Sequence, residues 1–133
     1  MNGTNYLTIQ RNQHIPIYCG ACWAFSGTSC LSDRIKIRRK AQWPDIIISP
    51  QILLSCDMYD NGCHGGDSSR AYAWIHENNI TDETCSPYQA LGWNTGLECS
   101  SMVKCKNCAP NGTCWVQERA KIYGVEEYGD ISG

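Results

Sequence analysis

The sequence predicts an α+β fold in which helices come first, strands come late and disulfides hold the loops. Three segments with helical spacing all lie before residue 80. A stretch rich in cysteine, glycine, proline and asparagine follows from Cys85 to Cys114, and only residues 115–128 regain an alternating apolar pattern. Such alternation is typical of a strand, whereas the cysteine-rich stretch is typical of loops. The chain of 133 residues is about the length of one domain.

The longest predicted helix covers residues 22–39. Within it, Trp23, Ser26 and Cys30 follow helical spacing, and a run of basic side chains at its end complements the negative end of the helix dipole. Cys30 is expected to be an inert thiol in the core, because it lies on this stripe and a free cysteine packs like a small apolar residue.

Two shorter helices are predicted downstream. Ser49-Pro50 combines an N-cap residue with proline at the first helical position, which opens a helix that runs through Ser55. Asp67 can cap a third helix that ends at residues 78–79. The apolar face of this third helix consists of Ala71, Trp74 and Ile75.

Composition and charge narrow the function classes. The net charge of −2 and the isoelectric point of about 5.8 give no electrostatic reason to expect nucleic acid or a membrane surface as a partner. No apolar run approaches the ~18 residues of a membrane-spanning helix. Ten cysteines, together with N-glycosylation sequons at Asn2, Asn79 and Asn111, predict the oxidising secretory pathway. No signal peptide is recognisable, which predicts that the chain is a piece of a longer precursor.

The strongest chemical signal is the sequence CGACWAF at residues 19–25. It places the thiol of Cys22 at the start of a predicted helix, where unpaired backbone N–H groups and the positive end of the helix dipole favour a thiolate. A thiolate is the nucleophile in covalent catalysis by cysteine. Spacing alone leaves other interpretations open. Cys19 and Cys22 can form a CxxC redox pair or a zinc site, and Cys105 with Cys108 has the spacing of a zinc knuckle.

Three blocks of the sequence resemble the papain-like cysteine peptidases. The first is residues 19–25, which contain the five-residue signature found around the nucleophile of that family. The second is SPQILLSC at residues 49–56, which is similar to a short helix of the family that ends in a half-cystine. The third is GCHGG at residues 62–66, which is similar to the glycine-rich segment whose backbone holds an extended substrate. The resemblance implies a papain-like fold, mostly its helical left domain.

The resemblance also implies a disulfide pattern. Eight of the ten cysteines would pair, which leaves Cys22 and Cys30 as free thiols. The implied pairs are Cys19 with Cys63, Cys56 with Cys99, Cys85 with Cys105, and Cys108 with Cys114.

The residues just before the nucleophile resemble a carboxypeptidase branch of the family. Gln13 lies nine positions before Cys22, so this segment carries a three-residue insertion relative to most papain-like enzymes. By resemblance, the Gln13 side chain and the Cys22 backbone N–H stabilise the oxyanion. The inserted His14 would bind the free carboxylate of the substrate, because histidine is largely cationic at acidic pH and its ring nitrogens can donate hydrogen bonds. The implied reaction removes single C-terminal residues from peptides through an acyl-enzyme on Cys22.

The other implied substrate-binding residues lie in or beside the glycine segment. Gly65 and Gly66 would pair with the substrate backbone, Asp67 would lie near the S2 pocket, and Trp23 would pack beside the nucleophile. Substrates would be peptides or proteins with a free C-terminus. No nucleic acid, membrane, metal or cofactor is expected as a partner, and the expected location is the lysosome or the extracellular space.

The sequence also predicts an incomplete active site. The histidine base of the family and its Asn or Asp partner lie ~130–150 residues after the nucleophile. His14, His64 and His76 do not match that motif, and the Asn-Ser-Trp-Gly block of the family is absent. The isolated chain is therefore expected to be inactive.

We interpret residues 1–133 as a partial peptidase domain. The helical left domain would cover about residues 13–114, and residues 115–133 would begin the β-rich right domain. The missing C-terminal domain of the same precursor would then be a partner of this chain. Two alternatives remain: a truncated, non-catalytic relative that binds peptides or inhibitors, and a disulfide-rich secreted module without peptidase ancestry.

Overall fold

The computed structural model describes residues 3–117 and 120–125. Within these ranges the chain forms four helices and one two-stranded antiparallel sheet. The helices are α1 (Cys22–Arg38), α2 (Pro50–Cys56), α3 (Ser68–Asn78) and α4 (Ser101–Lys104), and the strands are β1 (Lys106–Cys108) and β2 (Cys114–Val116). The predicted α+β class, with helices first and strands late, is confirmed.

The buried face of α1 differs from the predicted stripe. It consists of Trp23, Ala24, Gly27, Thr28, Leu31 and Ser32. Ser26 and Cys30 are exposed, so the prediction that Cys30 is a core thiol is wrong. The physical reason is that hydroxyl side chains can be buried on a helix when they bond to its own carbonyls. Thr28 Oγ1 donates to the Ala24 carbonyl at 2.8 Å and Ser32 Oγ donates to the Thr28 carbonyl at 2.7 Å.

Helix α2 lies in the centre of the core, and each of its seven residues is buried. Pro50 occupies the first turn, as predicted. Ser49 is the N-cap residue, but its hydroxyl does not cap the helix and instead donates to the Ser86 carbonyl at 2.6 Å. The buried Gln51 amide bonds to the backbone of residues 89–91, donating at 2.7 Å and accepting at 2.9 Å. A polar side chain is thus tolerated in the core because the loop satisfies it.

Helix α3 packs against α1 and follows its prediction closely. Its N-cap, Asp67, accepts a hydrogen bond from the Ser69 N–H at 3.4 Å. Asn79 is the C-cap residue, with φ of +61° and ψ of 174°, and its N–H donates to the Ile75 carbonyl at 2.8 Å. Across the helix pair, the Tyr72 hydroxyl donates to the Gly27 carbonyl at 2.8 Å. The buried residues of α3 are the predicted Ala71, Trp74 and Ile75.

Disulfides hold the loops around these helices. The structure contains the four bonds that the resemblance implies, namely Cys19–Cys63, Cys56–Cys99, Cys85–Cys105 and Cys108–Cys114. The last of them closes the hairpin of β1 and β2, in which Lys106 pairs with Val116. The predicted strand over 115–128 is therefore only β2 within the described residues, apart from an isolated bridge between Tyr123 and Ile80. Residues 126–128 lie outside the described ranges.

Candidate active site

The structure places Cys22 as the first residue of α1, with its side chain exposed. Its neighbours fix it there: Ala21 is fully buried, and the Ala21 carbonyl accepts a hydrogen bond from the Phe25 N–H at 2.9 Å. As the first helical residue, Cys22 has a backbone N–H without an intrahelical acceptor. An exposed thiol and a backbone N–H without an intrahelical acceptor thus belong to the same residue at the start of α1.

The loop before Cys22 is bonded directly to the glycine segment. The Gly20 N–H donates to the Cys63 carbonyl at 2.8 Å, and the Cys19–Cys63 disulfide joins the same two segments. A Cβ on Gly20 would lie only 2.7 Å from the Cys63 carbonyl oxygen, so glycine is required for this approach. The pairing places residues 62–66 beside the nucleophile loop.

The glycine segment itself has an open backbone. Gly65 adopts a φ of +114°, which favours glycine, and no atom lies within 4 Å of a Cβ built on it. The Gly65 carbonyl accepts from the Asn61 N–H at 2.9 Å. Gly66 is exposed on one side and closely packed on the other, where a Cβ would lie 2.7 Å from Trp23 Cδ2. The segment therefore offers backbone groups to a ligand without side chains in the way.

Trp23 supports this segment from below. Its indole N–H donates to the Gly62 carbonyl at 3.0 Å, and the side chain is only 3% exposed. The indole is held against the glycine segment, and the expectation that Trp23 binds substrate stays a prediction. The hydrogen bond to Gly62 and the close packing of Gly66 on the indole hold these two glycines against the first turn of α1.

The sequence analysis missed a pair of buried carboxyl groups behind the glycine segment. Asp57 and Asp60 are almost fully buried, and the Oδ2 atom of each has no hydrogen-bond partner among the described residues. Asp60 Oδ1 accepts from the Asp67 N–H at 2.9 Å and from Arg70 Nε at 2.8 Å. The sequence DMYDNG looks like an ordinary polar loop, so only the packing reveals the pair.

Asp57 retains its proton to a higher pH than an ordinary carboxyl group does. Burial, followed by the hydrogen bond and negative charge of Asp60, raises the pKa of Asp57 from 3.8 to about 8. Two carboxylates cannot donate to one another, whereas a protonated Asp57 can donate to Asp60. Asp60 in turn holds the N–H of Asp67, which is exposed beside the glycine segment, while Arg70 Nη1 lies 4.0 Å from Asp67 Oδ2.

Gln13 and His14 form a local cluster in the inserted loop. Gln13 Nε2 lies 3.2 Å from His14 Nε2, and the His14 ring stacks on Tyr18 with centroids 4.5 Å apart. The Cys19 N–H donates to His14 Nδ1 at 3.3 Å. A neutral ring that accepts at Nδ1 carries its proton on Nε2, so Nε2 and the Gln13 amide nitrogen are both donors and their 3.2 Å contact is not a hydrogen bond in this tautomer. His14 is exposed and Gln13 is half-buried.

No histidine is bonded to Cys22 within the part of the chain that the structure describes. His14 is engaged by Cys19 as above, His76 Nδ1 lies 2.6 Å from the Val125 carbonyl, and His64 is exposed in the glycine segment. The structure thus brings together Cys22, Gly65 and Gly66 around one loop pairing. It does not supply a base from residues 3–117 or 120–125.

The structure does not realise the zinc and CxxC redox interpretations of the cysteine spacing. Cys19, Cys105 and Cys108 are all in disulfides, and no group of three or more His, Cys, Asp or Glu side chains there could hold a metal ion. Over the same residues, every helix is too short or too polar to cross a bilayer. A cavity of about 410 Å³ lies beyond α3, between Trp74 and Lys104, and contains none of the candidate site residues.

Comparison with known proteins identifies the family to which the chain belongs. The family model described as "Papain family cysteine protease" matches residues 2–132. Cathepsin Z (an alternative name of cathepsin X) from Onchocerca volvulus is 44% identical over 133 residues, which is 100% of this chain and 42% of that protein. Cathepsin B from Dictyostelium discoideum is 36% identical over 87 residues, which is 65% of this chain and 27% of that protein. The branch whose resemblance we saw in the insertion is cathepsin X, and the similarity to cathepsin Z over the whole chain confirms that resemblance.

Solved structures give the same fold. The Amb a 11 cysteine protease, a ragweed pollen allergen in its proform, superimposes with a TM-score of 0.58 at 30% identity. The match covers 65% of this chain and 26% of that one. Digestive procathepsin L 3 from the larval midgut of Tenebrio molitor also has a TM-score of 0.58 at 30% identity, with 66% and 28% covered. The chain spans about two fifths of the cathepsin Z relative and about a quarter of the other proteins.

Proposed function

Because the chain belongs to the papain family of cysteine proteases, we propose that it carries the nucleophile-bearing side of a cysteine carboxypeptidase. The observation that carries the proposal is the exposed Cys22 at the start of α1, beside the side-chain-free backbone of Gly65 and Gly66. An extended peptide that pairs with that backbone would run past the thiol. The similarity to cathepsin Z over the whole chain supports the same branch.

In the proposed reaction, the Cys22 thiolate attacks the scissile carbonyl and forms a tetrahedral oxyanion. The Cys22 backbone N–H and the Gln13 amide NH₂ donate hydrogen bonds to that oxyanion. The C–N bond then breaks, the departing amine takes up a proton, and an acyl-enzyme on Cys22 remains for hydrolysis by water. Gly65 and Gly66 hold the substrate backbone, and Asp67 faces the substrate side chain from the N-terminus of α3.

We propose that His14 gives the reaction its C-terminal specificity. The His14 ring is exposed and held by Tyr18 and the Cys19 N–H, so its orientation is fixed before a substrate arrives. On this proposal the ring donates from Nε2 to the free carboxylate, which accepts it as a charge-assisted hydrogen bond, while Nδ1 keeps accepting from the Cys19 N–H. The inserted loop would also limit the substrate to one residue beyond the scissile bond.

On this proposal a group outside the described residues accepts the Cys22 proton, since no histidine among them is bonded to the thiol. The isolated chain is accordingly expected not to turn over peptides, and the remainder of the same protein is its first partner. Four disulfides and the cathepsin relatives support a lysosomal or secreted location.

The first test compares the two free thiols in the full protein that the gene encodes. We expect Cys22→Ser to abolish release of C-terminal residues from peptides, since a hydroxyl at this position lacks the nucleophilicity of the thiolate. Cys30→Ser is the matched control, because Cys30 is the other free cysteine of α1 and lies away from the loop pairing. The measurement is amino-acid release at acidic pH. Equal loss in both variants, or full activity of Cys22→Ser, would contradict the proposed nucleophile.

The second test concerns the carboxylate. His14→Ala is expected to lower kcat/KM for a free-acid peptide by roughly 10- to 100-fold, because a charge-assisted hydrogen bond is lost. The matched amidated peptide should change little. His64→Ala, which removes an exposed ring from the glycine segment, is the control. An unchanged acid-to-amide ratio in His14→Ala would remove the specificity role, and binding of peptides without any turnover by the full protein would favour the non-catalytic alternative.

A further inference from the structure

We propose that Tyr88 is a positioning residue for the oxyanion donor Gln13, a role that rests on the function proposed above. The Tyr88 hydroxyl donates a hydrogen bond to the backbone carbonyl of Gln13, across 75 residues of sequence. Holding this carbonyl fixes the peptide plane between Gln13 and His14. The directions of both side chains therefore depend on one tyrosine hydroxyl.

The ring of Tyr88 packs against α1, the helix that begins with Cys22. It meets Phe25 edge to face, with centroids 4.7 Å apart and an interplanar angle of 80°. Phe25 lies in the first turn of α1, three residues after Cys22, and its N–H is bonded to the Ala21 carbonyl. Such aromatic pairs have a preferred geometry. Tyr88 therefore contacts both segments: its ring packs on the helix that bears Cys22, and its hydroxyl holds the loop that bears Gln13.

Arg11 and Glu83 hold the other end of the same loop. Arg11 donates to both Glu83 oxygens, at 3.0 and 2.6 Å, and its guanidinium lies over the Phe25 ring at 5.0 Å and near the Tyr88 ring at 5.9 Å. Glu83 Oε1 also accepts from the Tyr88 N–H at 2.8 Å. Arg11 is two residues before Gln13, so the loop is held immediately before and at the proposed oxyanion residue.

Tyr88 keeps its proton at every pH relevant to the protein. Burial raises the pKa of Tyr88 to about 12, although the Arg11 charge opposes this shift. The hydroxyl is therefore a constant donor to the Gln13 carbonyl, and the position of Gln13 does not change with acidification. This matters because an oxyanion donor acts only when it is aimed at the place where negative charge develops.

The test is Tyr88→Phe in the full protein. The substitution removes only the hydroxyl and retains both the ring contact with Phe25 and the backbone bond to Glu83. We expect kcat to fall about tenfold while KM changes by less than about twofold, because the lost interaction serves the transition state and not substrate binding. Amide hydrogen exchange over residues 13–18 should accelerate. Unchanged kcat and unchanged exchange would overturn the proposal.

A double-mutant cycle separates positioning from general stabilisation. In a Gln13→Ala background, Tyr88→Phe should cause no further loss of kcat, because its effect acts through Gln13. Tyr72→Phe is the matched control: that half-buried hydroxyl also bonds a backbone carbonyl, Gly27, but outside the loop. Full additivity with Gln13→Ala would contradict the proposal. If the wild-type protein lacks activity that depends on Cys22 while Tyr88→Phe still accelerates exchange over 13–18, the proposed function fails and the loop contact stands.

Discussion

Asp57 and Asp60 are carboxyl residues that the fold buries almost completely, although such side chains ordinarily face solvent. Carboxyl groups are seldom fully buried unless they are paired or neutral, and burial beside Asp60 raises the pKa of Asp57 and so favours its neutral form. Asp60 is additionally held by the Arg70 side chain and the Asp67 N–H, both of which belong to the start of α3. The pair therefore fastens the end of the glycine segment to the loop that follows α2.

The raised pKa of Asp57 predicts that the stability of the fold depends on pH. The pKa of Asp57 in the folded chain, about 8, lies above its ordinary value of 3.8, so the folded state keeps a proton that the unfolded state has released. The free energy of unfolding should therefore fall as the pH rises from about 4 to about 8. Asp57→Asn retains a donor to Asp60 without the ionisable group and should flatten this part of the profile. Denaturant unfolding at several pH values measures the effect.

The control for this prediction is Asp45→Asn, which removes an exposed carboxylate that pairs with Lys36 at 3.0 Å. It should leave the slope between pH 4 and 8 almost intact, since an exposed ion pair contributes little. If the free energy of unfolding of Asp57→Asn falls between pH 4 and 8 as steeply as that of the wild type, ionisation of Asp57 does not govern this pH dependence.

At the scale of single residues, Cys22 could be singled out from the sequence, whereas the residues around it in the fold could not, and its role as nucleophile stays a prediction. Cys22 was recognisable because the residues that identify it are neighbours in sequence. Tyr88, Asp57 and Asp60 carry no local signal, because their partners lie on other segments. Cys30 was misplaced because its position on a helix of weak apolar periodicity was inferred from spacing alone.

At the scale of elements, α1 depends on two glycines in different ways. Gly27 lies inside the helix, and a Cβ there would meet Tyr72 Cζ at 3.9 Å and Ser68 Cβ at 4.0 Å, which are ordinary contacts. Gly20 lies in the loop before the helix, where a Cβ would meet the Cys63 carbonyl oxygen at 2.7 Å. The first glycine costs helix stability, and the second permits the loop to approach the glycine segment.

These two glycines give a matched pair of substitutions. Gly27→Ala should stabilise the fold by about 0.5–1 kcal/mol, because alanine is the better helix former and has room. Gly20→Ala should destabilise it by about 1–3 kcal/mol, because the backbone bond to Cys63 must open to admit the methyl group. Urea or thermal unfolding midpoints measure both. A neutral Gly20→Ala would show that the loop pairing is not tightly constrained.

The elements that were predicted best are those with end signals in their own sequence. Helix α3 has Asp67 at its N-cap, large apolar residues on one face and Asn79 at its end. Helix α2 was found from its proline, although the Ser49 hydroxyl bonds elsewhere. The face of α1 was missed because hydroxyl groups replace apolar side chains there, and a hydrophobic pattern does not register them.

At the scale of the whole molecule, distant segments are joined by few but specific contacts. Gln13 is bonded to Tyr88 and Arg11 to Glu83, across separations of 75 and 72 residues, and Cys19 to Cys63 across 44. Periodicity describes only neighbours along the chain, so it predicted none of these contacts. The disulfides could be anticipated only through the resemblance to a family whose pairing is known.

The burial of the Cys19–Cys63 bond has a consequence for how the protein responds to reductants. Exchange requires an incoming thiolate to reach a sulfur atom, and Cys19 and Cys63 are only 0% and 7% exposed. Cys22 is exposed, and so is Cys108 in the hairpin disulfide. A small thiol in solution therefore reduces an oxidised Cys22 before it reduces the buried Cys19–Cys63 bond. It also reaches the Cys108–Cys114 disulfide of the hairpin before that buried bond. A reductant can therefore restore the Cys22 thiol under conditions that leave the Cys19–Cys63 bond oxidised.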